Sequence, residues 1–331
     1  MNGEPPVGEG LLGEFDLIDR FFSRPATGRT DVILGVGDDA AVMRLPPDTE
    51  LVAAVDTLVA GRHFPPDCAP RSIGHRALAV NLSDLAAMGA TPAWATLALT
   101  LPRADAGWLE DFSAGLLDLA QMHGVALVGG DTTAGPLTIS LQILGHVATG
   151  TALRRGGARA GDVLVVTGFL GDSGAGLALA TGRLAAHDPA AAAAVVNRFD
   201  YPTPRVEFGA AARGVASAAM DISDGLVGDL PKLAGAGGLA AHVDVGRLPL
   251  SPALTSLVSL PQAREWALAA GDDYELLLAV APQRLDELTS AARRLALNFA
   301  VIGELRPGSG VHWTHRGVPF AAPSHGYDHF R

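Results

Sequence analysis

The sequence predicts a two-domain α/β protein of the α+β type, and three observations carry that prediction. Its 331 residues are 48% hydrophobic and only 18% charged, enough for a large core and more than one domain of about 100–200 residues usually holds. In both halves, short apolar runs rich in β-branched residues alternate with segments of helical period. Between them, residues 149–161 read TGTALRRGGARAG, rich in Gly and Arg and without hydrophobic period, so the chain divides there into residues 1–150 and 151–331.

In the first half, LVAAVD at 51–56 is a short buried strand that delivers Asp56 at its end. Residues 72–88 place Ile73, Ala77, Val80, Asp84 and Met88 at spacings of three and four, a helix whose Asp84 lies beside the apolar stripe. A charge there is costly unless it is paired or metal-bound. Leu109, Phe112, Leu116 and Leu119 mark a second, amphipathic helix over 106–123, ended by Gly124, with Asp105, Asp111 and Asp118 on its solvated side. VALVGGDTTAG at 125–135 is an apolar strand followed by a glycine pair, Asp131 and two hydroxyls, and 137–148 is a long, partly alternating strand. The glycine pair suits close approach of a ligand to the backbone.

The second half opens with the strand DVLVVTG at 162–168 and a glycine-led helix, GDSGAGLALATG. Helix N-terminal amides after such a turn can hold phosphate, although the same pattern is common without a ligand. VASAAMDISDGLVGDL at 215–230 runs from a strand through an acidic turn into a helix, so Asp221 and Asp224 share a face if the helix has begun. A strand at 275–281, a helix at 283–296 and a strand at 299–303 continue the alternation.

Composition excludes several functions. A formal net charge of -11 disfavours nucleic acid and anionic membrane surfaces as partners. Cys68 is the only cysteine, so the chain holds no internal disulfide and no cysteine-based zinc site. The longest apolar tract, 77–101, is interrupted by Asn81, Asp84 and Pro92, short of the about 20 residues a membrane span needs. The first 22 residues lack a basic segment followed by an apolar one, so a secretory signal is not expected and the cytoplasm is. The single lysine, Lys232, rules out a Walker A loop.

What remains is a set of aspartates. LGVGDDAAV at 34–42 puts Asp38 and Asp39 side by side with no basic neighbour. Taken alone, Gly37-Asp38 is a turn signal. Yet Asp39, Asp56, Asp84, Asp131, Asp221 and Asp224 all follow or interrupt apolar or glycine-rich stretches without an adjacent Lys or Arg. Six such residues favour a site for hard divalent cations, magnesium above all, completed by water and phosphate oxygens. His75 and His146 have no ligand spacing and read as structural.

Several motifs carry a closer resemblance. GEFDLI (13–18), GVGDDAAV, VDTLVAGRHF (55–64), ALAVNLSDLAAMGATP (77–92), VGGDTT, TGFLGDSGAGLAL, DISDGL and GDDYEL (271–276) occur in the order found in thiamine-monophosphate kinases. Across nearly its whole length the chain resembles that family, within the wider aminoimidazole-ribonucleotide-synthetase-like superfamily. The resemblance implies an N-terminal domain with a mixed sheet that binds ATP and metal and joins a second chain's sheet in a homodimer, followed by a C-terminal α/β domain. It implies transfer of the γ-phosphoryl group of ATP to thiamine monophosphate with several magnesium ions. By position it assigns Asp39, Asp56, Asp84, Asp131, Asp221 and Asp224 to magnesium, Gly130, Asp131, Arg155 and Ser223 to ATP, and His63, Asp272 and Tyr327 to the substrate. The chain departs from the family pattern at Ala54-Val55, where Ser-Thr is usual, at Asp272 for Glu, and at Tyr327 for Trp. Two other functions share the acidic motifs: a different ATP-dependent synthetase of the superfamily, and a non-catalytic protein that binds metal and nucleotide.

Overall fold

The computed structural model describes residues 13–23 and 28–330. The segment read for a secretory signal lies outside the described residues as far as residue 12. Chain order begins with α1 (Glu14–Leu17), which runs into one π turn (Ile18–Phe22), then β1 (Val32–Leu34), β2 (Val42–Met43) and β3 (Thr49–Val59). Next come α2 (Pro70–Ala87), β4 (Thr91–Leu101), α3 (Ala106–Met122), β5 (Ala126–Ala134) and β6 (Thr138–Ala148). Strands β3, β6, β4 and β5 form one mixed sheet in that spatial order, with β4 and β5 parallel and the other pairs antiparallel.

After residue 148 the strands join a different sheet. Its elements are β7 (Val163–Thr167), α4 (Asp172–Ala180), α5 (Pro189–Asp200), α6 (Val206–Ala212), β8 (Ala216–Ile222), α7 (Leu226–Ala236) and β9 (Leu239–Asp244). They continue through α8 (Pro252–Leu257), α9 (Leu260–Ala269), β10 (Glu275–Val280), α10 (Leu285–Arg294), β11 (Phe299–Pro307), β12 (Val311–His315) and β13 (Val318–Pro319). The seven strands lie in the order β13-β12-β9-β11-β7-β10-β8. Every residue of β10 is buried, which explains its unbroken apolar sequence: both faces of the strand are covered.

α2 holds the two sheets together. Fourteen of its residues are buried, because it packs on α3, β3 and β6 on one side and on α6, β8 and β10 on the other. One continuous core therefore runs from Leu82, Leu85, Phe112 and Leu141 to Phe208, Leu276 and Leu288. Phe112 is fully enclosed there, and truncating such a ring costs about 3–5 kcal/mol.

The helix expected over 72–88 is α2, but the rest of the apolar tract at 77–101, for which the sequence predicts no element, is the strand β4. Nine of eleven β4 residues are buried or half-buried, so the strand has no clear polar alternation to announce it. Asp105, expected on the solvated side of a helix, is instead the N-cap of α3 and accepts the Trp108 N–H at 3.0 Å. Asp221 and Asp224 do not share a helix face, since Asp221 ends β8 and α7 begins only at Leu226.

Candidate functional site

A cleft of about 850 Å³ opens where α2 and the end of β3 meet the second sheet. Asp56 enters it from β3, Asp84 from α2, Asp221 from the end of β8, and Ser223 and Asp224 from the following turn. His63, Asp272, Tyr274 and Tyr327 line the same space. Eight of the twelve positions singled out in the sequence are thus brought to one cleft.

Three of the carboxylates crowd one another. Asp56 and Asp84 lie close enough for each carboxyl to act on the ionisation of the other. Burial, followed by the charges of Asp221 and Asp56, pushes Asp84 up to about 8, with Arg155 acting in the opposite direction. Burial lifts Asp221 to about 6, against the hydrogen bond that Ser83 Oγ donates to its Oδ2 at 2.8 Å. Asp56 is raised by burial as well. Like charges brought together in a dry pocket resist ionisation, and an added cation relieves that resistance.

Asp224 has a cation that its sequence neighbours do not reveal. The Nζ of Lys232, one helical stretch later, lies 2.7 Å from Asp224 Oδ2 and 2.9 Å from Asp229 Oδ1. Asp229 in turn accepts the backbone N–H groups of Ser223 and Asp224 at 3.0 and 2.9 Å, which fixes the DISDG turn.

The GDDYE stretch sends its four polar side chains in two directions. Asp272 and Tyr274 face the cleft, both in the left-handed region at φ 60° and 49°, where bulky residues are strained. Asp273 and Glu275 turn into the protein. The Asp273 carboxylate accepts the Gly171 N–H, 3.0 Å from each of its oxygens. This internal carboxyl group occupies the start of α4, so the glycine-led turn read as a possible phosphate cradle is already filled from within. Glu275, fully buried, accepts from Thr167 Oγ1, Arg198 and Arg205 at 2.7 Å each.

The end of the chain lies along the cleft. Tyr327 N–H donates to the Asp224 carbonyl at 3.0 Å, and a Cβ on Gly326 would sit 2.0 Å from that same oxygen, so only glycine fits there. The Tyr327 ring meets His329 edge-on at 4.9 Å, and His329 lies 5.0 Å from the ring of His63. The backbone of Val59 donates to His63 Nδ1 at 2.9 Å, which leaves Nε2 to carry the proton, and burial lowers the affinity of the ring for a second one.

Asp39, Gly130, Asp131 and Arg155 do not line the cleft. Asp39 is exposed beyond the Gly37 turn, where Asp38 Oδ1 accepts the Asp39 N–H at 2.8 Å as a turn residue does. Asp131 lies inside β5 rather than in a turn. Its row across the sheet is Ala98, Ser140 and Thr57, one step out from the row that joins Gly130, Leu97, Leu141 and Asp56. Successive strand residues face opposite sides, which puts Asp131 on the side of the sheet away from Asp56. Gly130 is required by packing, since a Cβ there would lie 1.9 Å from the Leu97 carbonyl. Arg155 is exposed on a short helical turn, within electrostatic reach of Asp84.

Arg76, Ser83, Arg198 and Arg205 support the site through their contacts but lie outside the set of residues expected from the sequence. Ser83 stands inside the quoted NLSD motif, but Arg76 resembles any helix-surface arginine until the second domain covers it.

The carboxylate oxygens of Asp56, Asp84 and Asp221 and their mutual destabilisation fit a hard divalent cation. Among the described residues no three carboxylate, imidazole or thiol groups already close around a single ion. Water and phosphate oxygens would have to supply much of the coordination, as magnesium prefers.

Residues 37–147 match the AIR synthase related protein N-terminal domain and residues 159–315 its C-terminal domain, which sets the class of the protein. The thiamine-monophosphate kinase of Salmonella typhimurium is 47% identical over 319 residues, 96% of this chain and 98% of its own. The crystal structure of thiamine-monophosphate kinase from Stenotrophomonas maltophilia K279a superposes with a TM-score of 0.83 at 45% identity, covering 88% of this chain and 93% of that one. AaThiL complexed with AMPPCP and TMP gives a TM-score of 0.75 at 29% identity over 95% and 96% of the two chains. The chain belongs to the thiamine-monophosphate kinase family.

Proposed function

We propose that this protein transfers the γ-phosphoryl group of ATP directly to thiamine monophosphate, giving thiamine diphosphate and ADP. The observation that carries the reading is the cluster of Asp56, Asp84 and Asp221, three mutually destabilised carboxylates facing a cleft shared by both domains. The relative crystallised with AMPPCP and TMP supports the choice of substrates.

The attacking group is an oxygen of a phosphate monoester, largely a dianion at neutral pH, so no general base is needed. The obstacle is repulsion between two polyanions, about 4 kcal/mol for each pair of unit charges at 4 Å and an effective dielectric near 20. Magnesium ions, when bound, supply the positive charge that offsets this repulsion and fixes in-line geometry. Asp39, Asp56, Asp84, Asp131, Asp221 and Asp224 would hold them. Gly130, Asp131, Arg155 and Ser223 would bind ATP, and His63, Asp272 and Tyr327 would orient thiamine monophosphate.

Asp131 faces away from Asp56 within one chain, and the side of the sheet it occupies carries Leu51 and Val55, 55% and 62% exposed. A homodimer through that face would cover these side chains and bring a second chain beside Asp39 and Asp131. Residues 1–150 would then form the ATP-, metal- and dimer-forming domain and 151–331 the C-terminal α/β domain. No helix among the described residues is long and apolar enough to cross a membrane. Release of ADP from Mg-ATP tests the reading: it should depend on thiamine monophosphate, and release at the same rate without it would contradict the proposal.

A further inference from the structure

The Asp272 carboxylate is fixed in place by a residue that no motif flagged. Arg76, on α2, is 3% exposed, and its Nη1 lies 3.3 Å from Asp272 Oδ2. The guanidinium is itself immobile. It lies over the Phe199 ring, 4.1 Å from the centroid, and donates through Nη2 to the Phe199 carbonyl. Asp272 is held at its other polar atoms too. Its N–H donates to the Ser223 carbonyl at 2.8 Å, its carbonyl accepts from Ser173 Oγ at 2.8 Å, and its Oδ1 accepts from the Tyr274 phenol Oη at 2.9 Å.

We infer that Arg76 is a positioning residue for substrate recognition: reaching across from the first domain, it aims the Asp272 carboxylate into the cleft. The inference rests on the reading of Asp272 as a substrate contact and deepens it. A planar guanidinium stacked on a ring presents its N–H groups in one fixed direction, which an ammonium on a flexible stem does not. With one oxygen drawn to Arg76 and the other to the Tyr274 hydroxyl, Asp272 keeps a single orientation against its strained backbone. Its remaining lone pairs then accept N–H donors of a nitrogen heterocycle in the cleft. Arg76 lies beneath the carboxylate, so it acts on the substrate only through Asp272.

The test is a double-mutant cycle on the full-length enzyme, with steady-state kinetics in Mg-ATP and thiamine monophosphate. Arg76→Gln should raise the KM for thiamine monophosphate at least about five-fold and leave the KM for ATP within about two-fold. Arg76→Lys should recover part of that loss. In an Asp272→Asn background, Arg76→Gln should add little further, because its route to the substrate is already cut. Multiplying effects of the two substitutions, an equal rise in the KM for ATP, or a lowered melting temperature with an unchanged KM would each overturn the inference. If Arg76→Gln does not fold, the same cycle with Arg76→Lys decides, non-additivity supporting the inference and additivity overturning it. A parent enzyme that releases no ADP in response to thiamine monophosphate would remove the functional reading, and the inference with it. An active parent with an additive cycle removes the inference alone.

Discussion

Ser83 on α2 donates its hydroxyl to Asp221 at the end of β8, 2.8 Å away, and both side chains are buried where the two domains meet. A hydrogen bond to a charged acceptor in such a place is worth about 1.5–3 kcal/mol. Ser83→Ala should therefore lower the unfolding free energy by roughly that amount, read from the urea midpoint at constant slope. An unchanged midpoint would mean that Asp221 is satisfied by other donors.

Glu275 draws Arg198 and Arg205 together in the interior, and no solvent reaches its carboxylate. Removing one partner of a buried ion pair leaves the others uncompensated, at a cost of about 3–5 kcal/mol. Glu275→Gln should show that loss in equilibrium unfolding. A loss below about 1 kcal/mol would place the two arginines in water rather than in the core.

Asp131 sits in a strand, with little folding role for its charge. Asp131→Asn should reduce turnover more than about ten-fold while leaving the melting temperature within about 2 °C. Calorimetry should also show weaker Mg-ATP binding in the variant, and weak or absent ATP binding by the parent protein in chelator. Parental turnover at saturating magnesium would return Asp131 to a structural role.

Tyr327 is tied to Asp224 through its backbone, so its ring, 42% exposed, is free to serve the cleft. A ring face over a cationic thiazolium contributes about 0.5–2 kcal/mol. Tyr327→Ala should raise the KM for thiamine monophosphate roughly two- to thirty-fold and leave ATP affinity unchanged, while Tyr327→Trp preserves substrate binding. A lower melting temperature with unchanged kinetics would assign the ring to packing.

Much of this candidate site is legible in the sequence because each aspartate follows or interrupts an apolar or glycine-rich stretch. The helices α2 and α3 follow from their period, β3 and β7 from short β-branched runs, β6 from a long, partly alternating run and β10 from an unbroken apolar one. What the sequence withholds depends on pairing over long distances. The strand order of the second sheet joins β9 to β11 and β12, and β7 to β10, none of which is set by a local turn. Register alone reveals that Asp131 and Asp56 face opposite sides. Arg76 acquires its partner Asp272 only when elements distant in sequence pack, so it carries no local signal for its role, whereas Lys232 lies three residues from Asp229 and eight from Asp224.

The most direct test of the account follows the phosphoryl group itself. With ATP labelled at the γ-phosphate, magnesium and thiamine monophosphate, the label should appear in the terminal phosphate of thiamine diphosphate, in step with ADP. Label released as inorganic phosphate with no thiamine diphosphate formed would contradict it.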